Sequence, residues 1–180
     1  MNHRIFISIK LPERVKKRLM NTIEKWRDLP IKWTPGFNLH ITLVFLGFVS
    51  GEILQEICEK VRNLAANQDI FDLAFDRIAL APDKDNPKQV WLFGQDSPEL
   101  LKLVRSLEKE LDIESAAKKT FRPHVTLGRI QAGHWKNLAQ KPDVFEKFAI
   151  TIPAESADIM ASHFKTGEKN YTILEECPLK

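Results

Sequence analysis

The feature that most constrains this chain is an internal duplication. Two segments open with the same pattern, His40-Ile41-Thr42-Leu43 and His124-Val125-Thr126-Leu127. Each follows a strand-like run, a helix-like run and a loop. Ile5 to His40 is 40 − 5 = 35 positions, and Val90 to His124 is 124 − 90 = 34. A unit this long and present only twice is not a solenoid repeat. It predicts two similar lobes facing each other about a pseudo-two-fold axis. Consecutive repeat strands cannot all be neighbours, so the layout is α+β with antiparallel or mixed sheets.

Local patterns fill in that frame. Ile5, Ile7 and Ile9 alternate with Phe6 and Ser8, which predicts a strand over 4–10. Pro12 suits a first helical position, and Val15, Leu19, Ile23 and Trp26 form one apolar stripe. Pro30 and Thr34-Pro35-Gly36 break the chain before a strand over 39–48. Ser50 is placed to cap a second helix with Ile53, Ile57, Val61 and Leu64 on its apolar face and Cys58 at its border. Strands are predicted over 71–80 and 89–93, separated by a turn-rich loop over 83–88. Ser97-Pro98-Glu99 starts a third helix, whose stripe is Leu100, Val104, Leu107 and Leu111. Strands near 124–130, 145–152, 156–163 and 170–175, with a short helix near 134–140, complete the prediction.

Composition excludes several classes. The 180 residues are 43% hydrophobic and 28% charged, a globular mix in a chain long enough to bury a core. The longest nearly unbroken apolar run, 43–49, is too short to span a bilayer, and no cleavage site follows the apolar run at 5–9. The expectation is a cytoplasmic monomer with no membrane partner. Cys58 and Cys177 make neither a disulfide framework nor a zinc pattern, and HExxH is absent, so neither metal nor cofactor is expected. Cys177 reads as a free surface thiol. The net charge of +3 is too mild to imply DNA wrapping. Its distribution says more: Lys118, Lys119, Arg122 and Arg129 cluster around His124, and Asp143 is the only acid between Glu114 and Glu146. Such a patch suits a phosphate-bearing ligand.

In a strand, residues i and i+2 share a face. His40 with Thr42, and His124 with Thr126, therefore point the same way within each lobe, while Ile41, Leu43, Val125 and Leu127 point into the cores. If the lobes face each other, two imidazoles and two hydroxyls meet in one cleft. Hydroxyls can donate to non-bridging phosphate oxygens. One neutral His can take a proton from water while a protonated one gives a proton to a leaving oxygen. Five His and eight Thr among 180 residues give roughly 0.2 chance His-x-Thr pairs, so two at matched spacing are hard to reach by accident.

The segments Trp33 to Gly47 and Phe121 to Arg129 resemble the two signature strands of the 2H phosphoesterase superfamily. Within it they are most similar to the RNA 2′,3′-cyclic phosphodiesterases, the LigT-like group also called 2′-5′ RNA ligases. Phe6-Ile7-Ser8-Ile9, Val90-Trp91-Leu92 and Tyr171 extend the likeness over nearly the whole chain, whereas 77–88 departs from it. The resemblance implies one bilobal domain over 1–180, with a central cleft and no metal. It implies opening of a 2′,3′-cyclic phosphate on an RNA end, tRNA fragments among the candidates, to a 2′-phosphate. By motif position it places the general acid on His40, the general base on His124, and Thr42 and Thr126 on the phosphate. Arg129, five after the second His, joins the phosphate site; Phe45, five after the first, stacks the base. On pattern alone Phe45 reads equally as core and Arg129 equally as surface charge. Odd offsets would put both on the wrong face of a straight strand, so a bulge or sharp twist is expected beyond each Thr, with Gly47 and Gly128 as candidate positions. His163 is a further candidate for the cleft wall. Rival readings are a 2′-5′ ligase, a small cyclic-nucleotide phosphodiesterase and an RNA-end-binding module without turnover.

Overall fold

The computed structural model describes residues 3–113, 121–165 and 168–180. In chain order its elements are β1 His3–Lys10, α1 Glu13–Ile23, β2 Ile31–Trp33, β3 His40–Val49, α2 Gly51–Ala65, β4 Phe71–Ala81 and β5 Gln89–Gly94. There follow α3 Pro98–Glu110, β6 His124–Ile130, α4 Ala132–Lys136, β7 Phe145–Ala154, β8 Asp158–Lys165 and β9 Glu168–Glu175. Lys118 and Lys119 of the expected basic patch lie outside the described residues.

Every strand pairing among the described residues is antiparallel, and the order is β7-β4-β5-β6-β3-β1-β8-β9, with β2 alongside β6. The duplication is visible in that order. β1 pairs with β3 in one half, β5 pairs with β6 in the other, and a helix connects the strands of each pair. The two lobes are therefore halves of one sheet, joined at β3–β6 by the pairing of Ile41 with Val125. These are the middle residues of the two His-x-Thr triplets, and both are fully buried. The pseudo-two-fold axis passes between them.

The helices are exchanged between halves. From α1, Arg18 stacks 4.2 Å from the Phe148 ring centroid and donates to the Ala149 carbonyl, both in β7 of the opposite half. From the second repeat, α3 packs against β3 and α2. Its Ser97 accepts the Leu100 N–H at 3.1 Å, as its sequence anticipates, and Leu100, Leu103, Val104 and Leu107 are buried. Each such leucine contributes about 1.5–3 kcal/mol through burial, and Leu103→Ala would cost about 2–5 kcal/mol.

Four expectations change. Ser50 precedes α2 but its side chain makes no capping hydrogen bond. The break over 30–36 contains β2, whose Ile31, Lys32 and Trp33 pair with Ile130, Arg129 and Gly128 in the other half. Ile53 of α2 is 55% exposed; the buried face is Ile57, Val61 and Ala65. Cys177 is buried, not a surface thiol, and burial pushes its pKa up to about 12. The cause is a C-terminal strap that returns to the sheet. The Cys177 carbonyl accepts from Ala157 N, Leu179 N donates to the Glu155 carbonyl, and Lys180 bonds both Gln68 and Ile70.

Candidate active site

Antiparallel pairing of Ile41 with Val125 dictates the centre of the site. By register His40 lies over against Thr126, and Thr42 over against His124, all four on one face of the sheet. They line one cleft of about 390 Å³, within the range of ligand sites.

The expected bulges are present, each immediately after its Thr. In β3, Thr42 pairs with Ser8, Val44 with Ile7 and Phe45 with Phe6, so Leu43 is the extra residue. Because Ser8 and Phe6 share a face, Thr42 and Phe45 now share it too. In β6, Thr126 pairs with Trp91, Gly128 with Val90 and Arg129 with Gln89, so Leu127 is the extra residue and Arg129 joins Thr126. Both bulges thus fall on the Leu after Thr and not on glycine. Gly47 has φ +73° and marks a second irregularity further along β3. Gly128 serves close approach: a Cβ there would stand 2.6 Å from Ile31 and 3.0 Å from Trp33. Phe45 is 68% exposed and lines the cleft, which removes it from the core; Arg129 lines the same cleft.

Each imidazole is held by the carbonyl two residues upstream. His40 Nδ1 donates to the Asn38 carbonyl at 2.7 Å, and His124 Nδ1 donates to the Arg122 carbonyl at 3.2 Å. Nε2 is therefore the atom of each ring that can exchange a proton with a ligand, and in neutral His40 it accepts from the Thr42 hydroxyl at 3.0 Å. Burial lowers the pKa of both rings. The carbonyl contacts oppose this, and charge on His124 lowers His40 further. The pair therefore disfavours two protons at once.

Sequence reasoning missed three supporting residues. Buried Asn38 donates through Nδ2 to the Lys169 carbonyl at 2.7 Å and accepts the Tyr171 N–H at 3.2 Å, which ties the His40 acceptor to β9. Trp91 stacks on His124 with ring centroids 3.9 Å apart. Gln89 Oε1 accepts from Trp91 Nε1, with the Thr126 hydroxyl 3.5 Å away. None has a periodic signature; an unpaired polar residue facing a predicted cleft is the only hint Gln89 offered. His163 does not line the cleft: its Nε2 bonds Thr172 Oγ1 at 2.9 Å. Arg122 turns to Asp96, 3.5 Å away.

The cleft is cationic. Arg4, Arg129 and Lys169 line it, and no carboxylate does so among the described residues. Lys32 stands beside Arg129 by strand register. Burial lowers the Lys169 pKa, and Arg129, Arg4 and Lys32 add to that lowering. No group of three or more His, Cys, Asp or Glu is arranged to hold a metal among the described residues.

A nine-stranded pseudo-symmetric sheet with a His-x-Thr strand from each half meeting in a cationic cleft is the arrangement that the resemblance to 2H phosphoesterases implies. Comparison with known proteins agrees. Residues 9–92 match the family described as LigT like phosphoesterase. The RNA 2′,3′-cyclic phosphodiesterase of Thermotoga maritima is 29% identical, with 97% of this chain and 94% of the relative aligned. The protein of that name from Methanocaldococcus jannaschii is 25% identical over 94% and 92% of the two chains. Among solved structures, a Thermus thermophilus protein superposes with a TM-score of 0.81 at 27% identity, covering 98% of this chain and 97% of the other. E. coli LigT complexed with 3′-AMP gives 0.74 at 25% identity, covering 99% of each chain.

Proposed function

We propose that this protein opens 2′,3′-cyclic phosphate ends of RNA to 2′-phosphates. The observation that carries the reading is the square of His40, Thr42, His124 and Thr126 set by the Ile41–Val125 pairing, in a cleft free of carboxylates among the described residues. Thr42, Thr126 and Arg129 hold the non-bridging oxygens. His124 Nε2 takes a proton from water as its oxygen attacks phosphorus, the bond from phosphorus to O3′ breaks, and His40 Nε2 protonates O3′. One bond forms and one breaks; the proton gained by His124 balances the one lost by His40. Phe45 offers a ring to the terminal base without reading its identity. The names of the sequence relatives support the RNA end, and the 3′-AMP complex of LigT supports a nucleotide as ligand.

Product analysis on a synthetic RNA ending in a 2′,3′-cyclic phosphate tests this. A 2′-phosphate with a free 3′-hydroxyl is expected. Sealing to a 5′-hydroxyl end in place of hydrolysis would make the protein a ligase, and tight binding without product would make it an end-binding module.

A further inference from the structure

The proposed reaction uses the cleft for one nucleotide. Beyond it, on the same face of the first half-sheet, lies an aromatic side chain that the proposed reaction does not use. Phe48 is 74% exposed, although a phenylalanine in a strand ordinarily covers a core. Its place follows from the register. Phe45 pairs with Phe6 and Phe48 pairs with Arg4, and Arg4 and Phe6 are two residues apart on β1, hence on one face. The second irregularity in β3, at Leu46 and Gly47, is what turns Phe48 to that face.

The row containing Phe48 continues through Arg4 and Ser162 to Tyr171, and the last three line the cleft. It is therefore continuous with the site. Arg4 is exposed and makes no ion pair among the described residues. It is a cation that neither catalytic strand supplies.

We infer that Phe48 and Arg4 form a subsite for the second nucleotide of a single-stranded RNA, with its base on Phe48 and the phosphate between the two nucleotides on Arg4. The spacing fits. Phe45 and Phe48 lie opposite β1 residues two apart, about 7 Å along the strand. That is twice the rise of about 3.4 Å between stacked bases. The two bases are splayed, each on its own ring, with the linking phosphate beside Phe48, where Arg4 stands across the strand pair from it. Exposed aromatic rings alternating with cations are how single strands are held without sequence preference. The inference rests on the RNA-end reading and narrows it: the preferred substrate is an oligonucleotide, not a cyclic mononucleotide.

Binding tests it without turnover. The probes are a nucleoside 2′-phosphate and a di- and a trinucleotide ending in 2′-phosphate, titrated against the full chain. Affinity is expected to rise at least tenfold from one nucleotide to two and little further at three. Phe48→Ala should remove about 5- to 150-fold of that gain, and Phe48→Trp should retain it. Arg4→Gln should reduce the gain and flatten the salt dependence for the dinucleotide by about 0.7 in log–log slope. Equal affinity for one and two nucleotides, a gain that survives both substitutions, or a Phe48→Ala loss equal on both probes would each overturn the subsite. A length-dependent gain in a protein that never opens the cyclic phosphate upholds the subsite and sinks the phosphodiesterase reading.

Discussion

β3 and β6 carry the same triplet, the same bulge and the same carbonyl support, yet their histidines live in different surroundings. His40 is enclosed by aromatic rings, Phe6 at 4.9 Å and Tyr171 edge-on at 5.2 Å, with Nε2 already bonded to Thr42. His124 lies flat on Trp91 and has no such partner on Nε2 among the described residues. At +5, one strand presents an aromatic ring and the other a cation. A symmetric backbone has been filled asymmetrically, which under the proposed reaction lets one half address a base and the other a charge.

Removing either histidine is the most severe way to break the comparison. His40→Ala and His124→Ala are each expected to lower the rate by about 10²–10⁴-fold while circular dichroism and the melting temperature stay close to wild type. Near-full activity in either variant would reduce the site to one histidine. The +5 pair sharpens the contrast. In the proposed reaction Arg129 meets charge that grows in the transition state, so Arg129→Ala should chiefly lower kcat, by about 10²-fold, with only partial recovery in Arg129→Lys. In the same proposal Phe45 holds the base equally in both states, so Phe45→Ala should chiefly raise KM, by about 5- to 150-fold. A kcat loss for Phe45→Ala, or a pure KM loss for Arg129→Ala, would reverse the division of labour.

The pH profile probes the two rings together. Burial lowers both pKa values below the ordinary 6.5, and an acid must be protonated to act. In kcat/KM, which reports the free enzyme, the bell should therefore lie to the acid side of 6.5 and fall as pH rises past it. Its two limbs belong to the coupled pair. The negative charge of bound phosphate favours imidazolium, so the falling limb of kcat should lie at higher pH than that of kcat/KM. Coincident profiles would mean that substrate charge does not reach the rings. The smallest expected effect is that of a chelator: with Thr42, Thr126 and Arg129 on the phosphate, EDTA should leave the rate unchanged.

Much of this was legible in the chain. The matched spacing of the two triplets anticipated two similar halves, though these join edge to edge in one sheet, and once the resemblance put Phe45 and Arg129 at the site, parity anticipated a bulge after each Thr. What escaped is long-range. β2 is three residues between prolines, too short for any period, and it exists because β6 offers it an edge. The buried Cys177 reflects a strap whose partners lie at 68–70 and 155–157. Asn38 gives no local sign of its role, since its side chain bonds backbone groups 131 and 133 positions away. Exchange of α1 and α3 between halves leaves their apolar stripes unchanged and so left no trace in them.

The order of the strands also has a consequence for the nascent chain. The half-sheet around His124 draws on β4, β5, β6 and β7 and on β2, all synthesised by Ala154. The half-sheet around His40 begins with β1 and β3 but needs β8 and β9, which leave the ribosome after every other strand of this sheet. Tyr171, Lys169 and the anchor of Asn38 arrive only with β9. At translation rates of about 5–20 residues per second, the half made second can be complete about a second or more before the half begun first. The earlier histidine in the sequence is thus the later one to acquire its surroundings.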